Sequence, residues 1–168
     1  MGALEEIVHV AVPARTAYDQ WTQFESFPRF MSVVEHVEQV RPNVTRWIIG
    51  MGPVRREFYA EILEQVPDSR VCWRSLDRHL RHEGEVSFQS LEAGRTAVTV
   101  TMVLEPWRAT DAVILAVTRR VVRSELEHFK EFIEGVGDAG EAWRGTIHDG
   151  RVQNGENTAP NFPGWPHG

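Results

Sequence analysis

The sequence predicts an α+β domain in which a curved antiparallel sheet wraps around one long helix near the C-terminal end of the chain. Residues 110–136 form a single long helical pattern, whereas most of the preceding chain consists of short β-branched runs separated by Gly, Pro and Asn. Short turns between consecutive strands imply antiparallel neighbours. Each strand then needs an apolar body against its inner face, and the long helix supplies it.

The chain begins with a strand and two short helices. Residues 6–12 are rich in β-branched side chains and end at Pro13, which suits the start of a helix because its missing N–H has no partner there. Apolar residues then recur at helical spacing for about ten residues, and residues 26–31 form a second helical turn. The aromatic residues of this region are expected to plug one end of the core: Tyr18, Trp21, Phe24, Phe27 and Phe30.

Six further strands are predicted, which brings the sheet to about seven. They occupy residues 33–41, 45–52, 56–66, 70–76, 84–91 and 96–106. Because side chains alternate between the two faces of a strand, Phe58 and Trp73 are expected on the inner face. Tyr59 and Arg74 then lie on the outer face.

The long helix changes character along its length. Residues 112–117 are six apolar residues in a row, which indicates that the first turns are covered on all sides or line an apolar space. The second half carries one apolar stripe, with Leu126, Phe129 and Ile133 among its members, and a charged opposite side. We expect ion pairs at i,i+4 spacing on that side, Arg123 with Glu127 and Lys130 with Glu134. This helix therefore organises the interior.

Residues beyond the helix are rich in Gly, Pro and Asn and show little periodicity. We therefore predict a domain at residues 1–137 and a tail at residues 138–168. Trp143 and Ile147 are the positions through which the tail could dock. From about residue 150 onward nothing is patterned to pack.

Length and composition bound the protein class. The chain has 168 residues, 42% of them hydrophobic, enough to fold as one domain without a disulfide or metal. A single cysteine, Cys72, fits a reducing compartment, and the first residues lack the pattern of a signal peptide, so we expect a cytoplasmic protein. A net charge of −6 disfavours nucleic acid as a partner. No apolar run approaches the roughly 18 residues of a membrane span.

Four patches of the sequence carry a resemblance to a known family: residues 10–40, 70–75, 84–88 and 125–134. They resemble the START-like (SRPBCC) superfamily, also called the helix-grip or Bet v 1-like fold. Within it, the chain is most similar to the polyketide cyclase/dehydrase and coenzyme Q-binding START-like group. The resemblance implies a cavity between the concave sheet and the long helix that takes a flat or elongated apolar small molecule.

The inward-facing bulk of the sequence agrees with such a cavity, since ligand pockets are lined mostly by apolar and aromatic side chains. The candidate ligand-binding residues are Trp47, Phe58, Trp73, Phe88, Trp107, Ile114, Val117 and Val121. The alternative is that these side chains simply fill a solid core.

Polar residues that could perform chemistry are few. In the cyclases of this superfamily, tyrosine and arginine side chains of the cavity are thought to orient or protonate the polyketide, and here Tyr59 and Arg74 are the candidates. Strict alternation turns both away from the cavity, unless a β-bulge near residue 56 or 74 reverses the facing. The modest handles left inside are Ser75, Thr99 or Thr101. The paired carboxylates Glu57 and Glu61 are expected on the solvated outer face.

No cofactor or metal is expected. His79 and His82 lack the HExxH spacing and an evident third ligand, which a catalytic zinc site needs. The GxGxxG match at residues 135–140 follows a helix and not a strand, so it does not predict a dinucleotide site. Cys72 lies in the middle of a strand and is expected to be inert.

The sequence therefore favours binding of a hydrophobic small molecule, such as a polyketide or isoprenoid-like compound. The alternative is an aromatase/cyclase in which the same cavity folds a poly-β-ketone chain and promotes aldol condensation and dehydration. Because a binding protein and an enzyme would share this cavity, only polar groups inside it would distinguish one from the other. A third class, the ribosome-associating relatives, is disfavoured by the acidic balance. The sequence fixes neither the ligand nor the oligomeric state.

Overall fold

The computed structural model describes residues 2–51, 53–77, 81–92, 94–105, 111–140 and 142–153. The strands are β1 (Gly2–Val10), β2 (Val34–Arg41), β3 (Val44–Met51), β4 (Val54–Val66), β5 (Arg70–Ser75), β6 (His82–Glu92), β7 (Arg95–Leu104), β8 (Thr146–His148) and β9 (Arg151–Gln153). The helices are α1 (Ala14–Trp21), a 3₁₀ helix (Phe24–Arg29) and α2 (Asp111–Val136). These bounds follow the predicted elements closely up to the end of α2.

Seven strands form one antiparallel path in the order β1-β7-β6-β5-β4-β3-β2. The two strands that flank α1 and the 3₁₀ helix, β1 and β2, therefore lie at opposite edges, and these short helices cross from one edge to the other. Helix α2 follows β7 and packs against β1. This architecture confirms the predicted fold, a curved antiparallel sheet around a long C-terminal helix with two short helices after the first strand.

One end of the interior is filled by aromatic side chains, as the sequence predicts. The Trp21 ring meets Phe27 and Phe129 edge to face at 5.3 and 5.2 Å between centroids, and Phe30 lies 5.5 Å from Phe129. Phe129 and Ile133 of α2 are fully buried at this end. The short helices, the second half of α2 and the sheet thus form one packed core.

The charged side of α2 is held partly by β1. Lys130 and Glu134 form the predicted i,i+4 pair at 2.7 Å. Arg123, however, does not pair with Glu127; its guanidinium donates to both carboxylate oxygens of Glu6 on β1, at 3.2 and 3.1 Å. A fork-shaped donor gains more from a bidentate partner on a neighbouring strand than from one helical turn further on. Because of this pair, the prediction for Arg123 is wrong.

Part of the segment predicted as a tail is packed against the sheet. Strands β8 and β9 form a hairpin, and β8 pairs with Glu64 and Gln65 of β4, where the pairing with β3 has ended. Ile147 is 0% exposed. The hairpin therefore covers an edge that would otherwise present unpaired backbone groups.

Arg144 fastens the approach to this hairpin. Its guanidinium donates to the Asp19 carboxylate on α1 and, at 2.6 Å, to Asp68. Burial raises the pKa of Asp19, and the Arg144 guanidinium opposes that rise. The division into a domain at 1–137 and a tail at 138–168 stays a prediction, but the packed chain extends to Gln153, beyond the expected start of the unpacked part near residue 150.

No helix in the described part of the chain is long and apolar enough to cross a membrane.

Candidate functional site: an aromatic cavity between sheet and helix

The other end of the interior is hollow. A cavity of about 350 Å³ lies between the inner face of the sheet, the 3₁₀ helix and the first half of α2. Its wall is almost entirely apolar. The lining residues from the sheet are Val34, Thr45, Trp47, Ile49, Phe58, Ala60, Ile62, Val71, Trp73, His82, Val100, Met102 and Leu104. Those from the helices and the turn before β2 are Trp21, Phe24, Phe27, Met31, Val33, Val117, Thr118, Val121, Val122, Glu125 and Leu126.

Aromatic rings on neighbouring strands form one wall. Trp47 of β3 and Phe58 of β4 face each other across the strand pair, and their rings are parallel within 3° at 6.1 Å. Phe27 meets Trp47 edge to face at 5.2 Å, which joins this wall to the aromatic plug. The Trp47 indole N–H donates to the Thr45 hydroxyl at 2.7 Å. Trp47 is therefore held both by stacking and by a hydrogen bond.

Trp73 owes its position to a glycine. It lies directly opposite Gly84 on the neighbouring strand, and a Cβ at residue 84 would be only 2.2 Å from Cζ2 and 2.5 Å from Cε2 of the indole. Real Cβ atoms do not approach carbon atoms so closely. The absent side chain therefore leaves room for the indole against β6, from where it lines the cavity.

Three polar or ionisable side chains interrupt the apolar wall besides Thr118. The Thr45 hydroxyl accepts from Trp47 and lies 3.5 Å from the Ala60 carbonyl oxygen. The His82 imidazole meets the Phe58 ring edge to face at 5.3 Å. Glu125 of α2 is only 5% exposed, and its Oε2 has no hydrogen-bond partner in the described part of the chain. Glu125 is thus the carboxyl group of the wall.

Most of the sequence-predicted ligand-binding residues reach this cavity. Trp47, Phe58, Trp73, Val117 and Val121 line it. Phe88 does not. It lies further along β6 beneath α1, where it contacts Tyr18 and Trp21 at 5.7 and 6.3 Å in the packed core. Trp107 lies outside the described residues, and the side chain of Ile114 does as well.

The speculative catalytic pair points away from the cavity. Tyr59 is 36% exposed on the outer face, and the Arg74 guanidinium donates to Glu61 at 2.8 Å on the same face. The register of β4 with β5 shifts only between Ile62 and Glu64, too late along β4 to turn Tyr59 inward and not at Arg74. Strict alternation therefore holds at both positions. The geometry gives Tyr59 and Arg74 no contact with a ligand in this cavity.

The other expected polar handles are also absent from the wall. On β7 the lining residues are Val100, Met102 and Leu104, so Thr99 and Thr101 alternate to the outer face. The Ser75 hydroxyl accepts from the backbone N–H of His82 at 3.0 Å. His82, which precedes the strand predicted at residues 84–91, begins β6 and lines the cavity. Its pairing with Leu104 on β7 draws it into the sheet.

Cys72 lies on the outer face of β5, beside Glu85. Burial, reinforced by that carboxylate 3.2 Å away, raises the pKa of the thiol to about 12. The thiolate is the reactive form of cysteine, so this geometry suppresses its reactivity at neutral pH. Among the described residues no group of three or more His, Cys, Asp or Glu side chains is placed to hold a metal ion. His79 lies outside them.

A second hollow, of about 540 Å³, lies on the surface between β1 and α2. It is more open to solvent than the apolar cavity, and both arginines that line it already have partners. Arg123 is bound to Glu6, and Arg119 donates to the Ala3 carbonyl oxygen at 3.4 Å. The apolar cavity is less open, and it is the better ligand site because it removes more of a ligand's surface from water.

The feature missed from sequence is Glu125, although a signal for it was present. It falls on the apolar stripe of α2, one residue before Leu126 and four after Val121, where the helical period places the inner face. Burying a single charged residue within such a stripe is costly unless it is paired and hydrogen-bonded, so its presence there is a signal.

Comparison with known proteins agrees with this geometry. A family described as "Polyketide cyclase / dehydrase and lipid transport" matches residues 10–130. An uncharacterized 17.2 kDa protein of Streptomyces lincolnensis, from the melC2–rnhH intergenic region, is 42% identical over 149 residues, which are 88% of this chain and 99% of that protein.

Two solved structures show the same fold at low identity. The aromatase/cyclase Zhui of Streptomyces sp. R1128 aligns with a TM-score of 0.69 and 16% identity, over 84% of this chain and 99% of that chain. A START superfamily protein of Mycobacterium smegmatis aligns with a TM-score of 0.63 and 17% identity, over 80% of this chain and 95% of that one.

Proposed function

Since the chain belongs to the polyketide cyclase / dehydrase and lipid transport family, we propose that it binds a hydrophobic small molecule in the cavity between sheet and α2. The ligand class is polyketide- or isoprenoid-like. The observation that carries the proposal is the cavity of about 350 Å³ whose wall is built from stacked and edge-to-face aromatic rings. Its volume is at the lower end of the range for small-molecule sites, which favours a compact ligand.

The wall also explains how such a ligand gains affinity. Burying apolar surface contributes about 25 cal/mol per Å², and a flat ring gains further from the faces of Trp47 and Phe58. A preformed wall needs no reordering on binding, which lowers the entropic cost. The cytoplasmic location expected from the single cysteine stays a prediction.

The test is a matched pair of valine substitutions on one helix. Val117 lines the cavity and is 47% exposed. Val136, at the far end of α2, is similarly exposed at 52% but is not among the residues that line the cavity. Val117→Phe should weaken binding of an uncharged aromatic probe, N-phenyl-1-naphthylamine, by about tenfold, which is about 1.4 kcal/mol of binding free energy. Val136→Phe should leave it unchanged. Both should melt at the wild-type temperature.

Quenching of tryptophan fluorescence by the bound probe provides the measurement, since Trp21, Trp47 and Trp73 line the cavity. Native mass spectrometry of freshly purified protein would identify a retained ligand. Equal binding by the wild type and both variants would place the probe elsewhere and contradict the proposal.

A second function, polyketide cyclisation and dehydration, is favoured by one observation. Glu125 and His82 bring a carboxyl group and an imidazole to the wall, and these are the groups that most often transfer protons in enzymes. If the protein is a cyclase, Glu125→Gln or His82→Gln should abolish turnover of a poly-β-ketone analogue but retain its binding. Tyr59→Phe, on the outer face, is the matched control. Full turnover in both inner variants would exclude these two groups as catalysts.

A further inference from the structure

The carboxyl group of Glu125 is placed unlike any other acidic group described in this protein. It lies on the inner face of α2 between Val121 and Leu126, lines the cavity and is 5% exposed. A carboxylate in such surroundings loses its hydration and needs hydrogen bonds from the protein in return. The hydrogen bonds that this carboxyl group makes therefore show whether both of its oxygens have a donor.

Only one of its two oxygens is satisfied. Oε1 accepts from the Ser32 hydroxyl at 2.9 Å, and His128 Nδ1 lies 3.5 Å away on the next helical turn. Oε2 has no hydrogen-bond partner in the described part of the chain and almost no access to solvent. Ser32 and His128 thus hold one side of the carboxyl group and leave the other without a donor.

In the described part of the chain, no polar side chain of the wall donates a hydrogen bond to Oε2. The Thr45 hydroxyl is occupied by the Trp47 indole and the Ala60 carbonyl. The residues beside Glu125 in the wall, Val122 and Leu126, are apolar. A buried acceptor without a donor destabilises the folded protein, so an arriving donor would remove a penalty that the empty protein carries.

We infer that the cavity selects a compact, mostly apolar molecule carrying a hydroxyl group, of the phenol or enol class, which donates its hydrogen bond to Oε2 of Glu125 once a small rotation of that side chain opens the oxygen to the cavity. This inference rests on the proposed binding function and adds the ligand's chemistry and orientation: the hydroxyl lies against α2 near residue 125, and the ring system lies against Trp47 and Phe58. A bond from an O–H group to a carboxylate is short and strong.

A neutral hydroxyl suits this site better than an ammonium group. An ammonium carries three donors, whereas Glu125 offers one oxygen without a partner. A cation would also lose its own hydration on entering an apolar cavity, a cost that a single ion pair often fails to offset. A phenol or enol donates once and keeps the remainder of its surface apolar.

Two ligands of nearly equal shape test the inference: 2-naphthol and 2-methylnaphthalene. The methyl compound is the more hydrophobic, so a purely apolar cavity would bind it more tightly. Isothermal titration calorimetry of the full chain should instead show tighter binding of 2-naphthol, by about tenfold. This ratio is about 1.4 kcal/mol of binding free energy.

Variants at residue 125 then assign the preference to one side chain. Glu125→Leu should reverse the preference in favour of 2-methylnaphthalene, and Glu125→Gln, which keeps the shape and a weaker acceptor, should reduce it. Glu127→Leu is the matched control, because Glu127 is exposed on the same helix. Circular dichroism melts verify that each variant is folded; should the leucine variant fail to fold, the glutamine variant decides.

The outcomes separate two failures. A wild type that prefers 2-methylnaphthalene, or a preference for 2-naphthol that survives in Glu125→Leu, overturns the hydroxyl anchor and leaves the binding function standing. Binding of neither compound by the wild type overturns the proposed function and this inference with it.

Discussion

The two ends of the interior share one sheet and one helix, yet one end is solid and the other hollow. On β6, Val86 and Phe88 are buried in the packed core. His82, at the start of the same strand and on the same face, lines the cavity. Along α2 the same change occurs between Phe129, which is 0% exposed, and Val117, which is 47% exposed. The two ends therefore do not differ in their secondary structure.

What differs is the layer placed between sheet and helix. At the solid end, α1 and the 3₁₀ helix insert Trp21, Phe27 and Phe30 against Phe129, and their rings interlock edge to face. At the hollow end the described residues place no such layer between Trp73 and α2, and their side chains line the space without filling it. Tight packing therefore stabilises the solid end, and the proposed binding uses the space beside it.

The largest expected effect breaks the solid end. Phe129→Ala should lower the free energy of unfolding by about 3–5 kcal/mol, the usual cost of truncating a fully buried aromatic side chain. Val121→Ala, one residue of the cavity wall, should cost about 1 kcal/mol or less, because its neighbours already border empty space. Urea denaturation of both variants measures the difference. Equal costs would show that the two halves of α2 are packed alike.

A second prediction narrows the hollow end. Gly84→Ala must displace the Trp73 indole, whose Cζ2 lies 2.2 Å from the new Cβ position. Forcing extra volume into a packed site costs about 1–3 kcal/mol, and an indole that relieves the clash by swinging inward would also reduce the cavity.

Gly135→Ala is the matched control for that variant. A Cβ at residue 135 meets nothing within 4 Å, and alanine is preferred over glycine in a helix by about 1 kcal/mol. The melting temperature should thus fall for Gly84→Ala and rise slightly for Gly135→Ala. A crystal structure of the first variant with an unmoved Trp73 would contradict the account of Gly84.

A third prediction concerns the polar exception of the hollow end. Replacing a buried polar group that lacks a partner by an apolar one of similar shape is often stabilising. Glu125→Leu should therefore raise the free energy of unfolding by about 1 kcal/mol, although it leaves the Ser32 hydroxyl without its acceptor. Differential scanning calorimetry without ligand provides the measurement. A clear loss of stability would mean that Glu125 serves the fold through Ser32 and His128.

The smallest effect is expected outside both regions, at Cys72 on the outer face of the sheet. Cys72→Ser should change the melting temperature little, since neither the plug nor the cavity depends on it. The raised pKa of the thiol, about 12 against an ordinary value of 9.0, makes the folded thiol largely protonated at pH 9, and its thiolate form increases only as the pH approaches 12.

Alkylation kinetics check this directly. At pH 9 the thiolate fraction in the folded protein should be lower than in the unfolded chain by about two to three orders of magnitude, so iodoacetamide should label the native protein far more slowly. Similar rates in the native protein and in urea would show that Cys72 is neither shielded nor perturbed.

The sequence by itself determined the elements and their facing. Period-two alternation placed Phe58 and Trp73 inward and Tyr59 and Arg74 outward, and the 3.6-residue period placed Phe129 and Ile133 in the core, as found. These patterns are local consequences of strand and helix geometry, so they can be recognised without knowing what lies across the interior.

Tertiary structure decided how the inward side chains share space. Phe88 and Trp73 are equivalent by alternation, but α1 covers one of them and leaves the other at the cavity. The same holds for Glu125, whose unpaired oxygen depends on which residues of the turn before β2 and of the next turn of α2 come near it. The hairpin containing Ile147 also depends on distant residues. It pairs with β4 at Glu64 and Gln65, a part of that strand that β3 does not reach. Periodicity records the direction of a side chain, whereas volume, pairing and edge coverage depend on residues far apart in the chain.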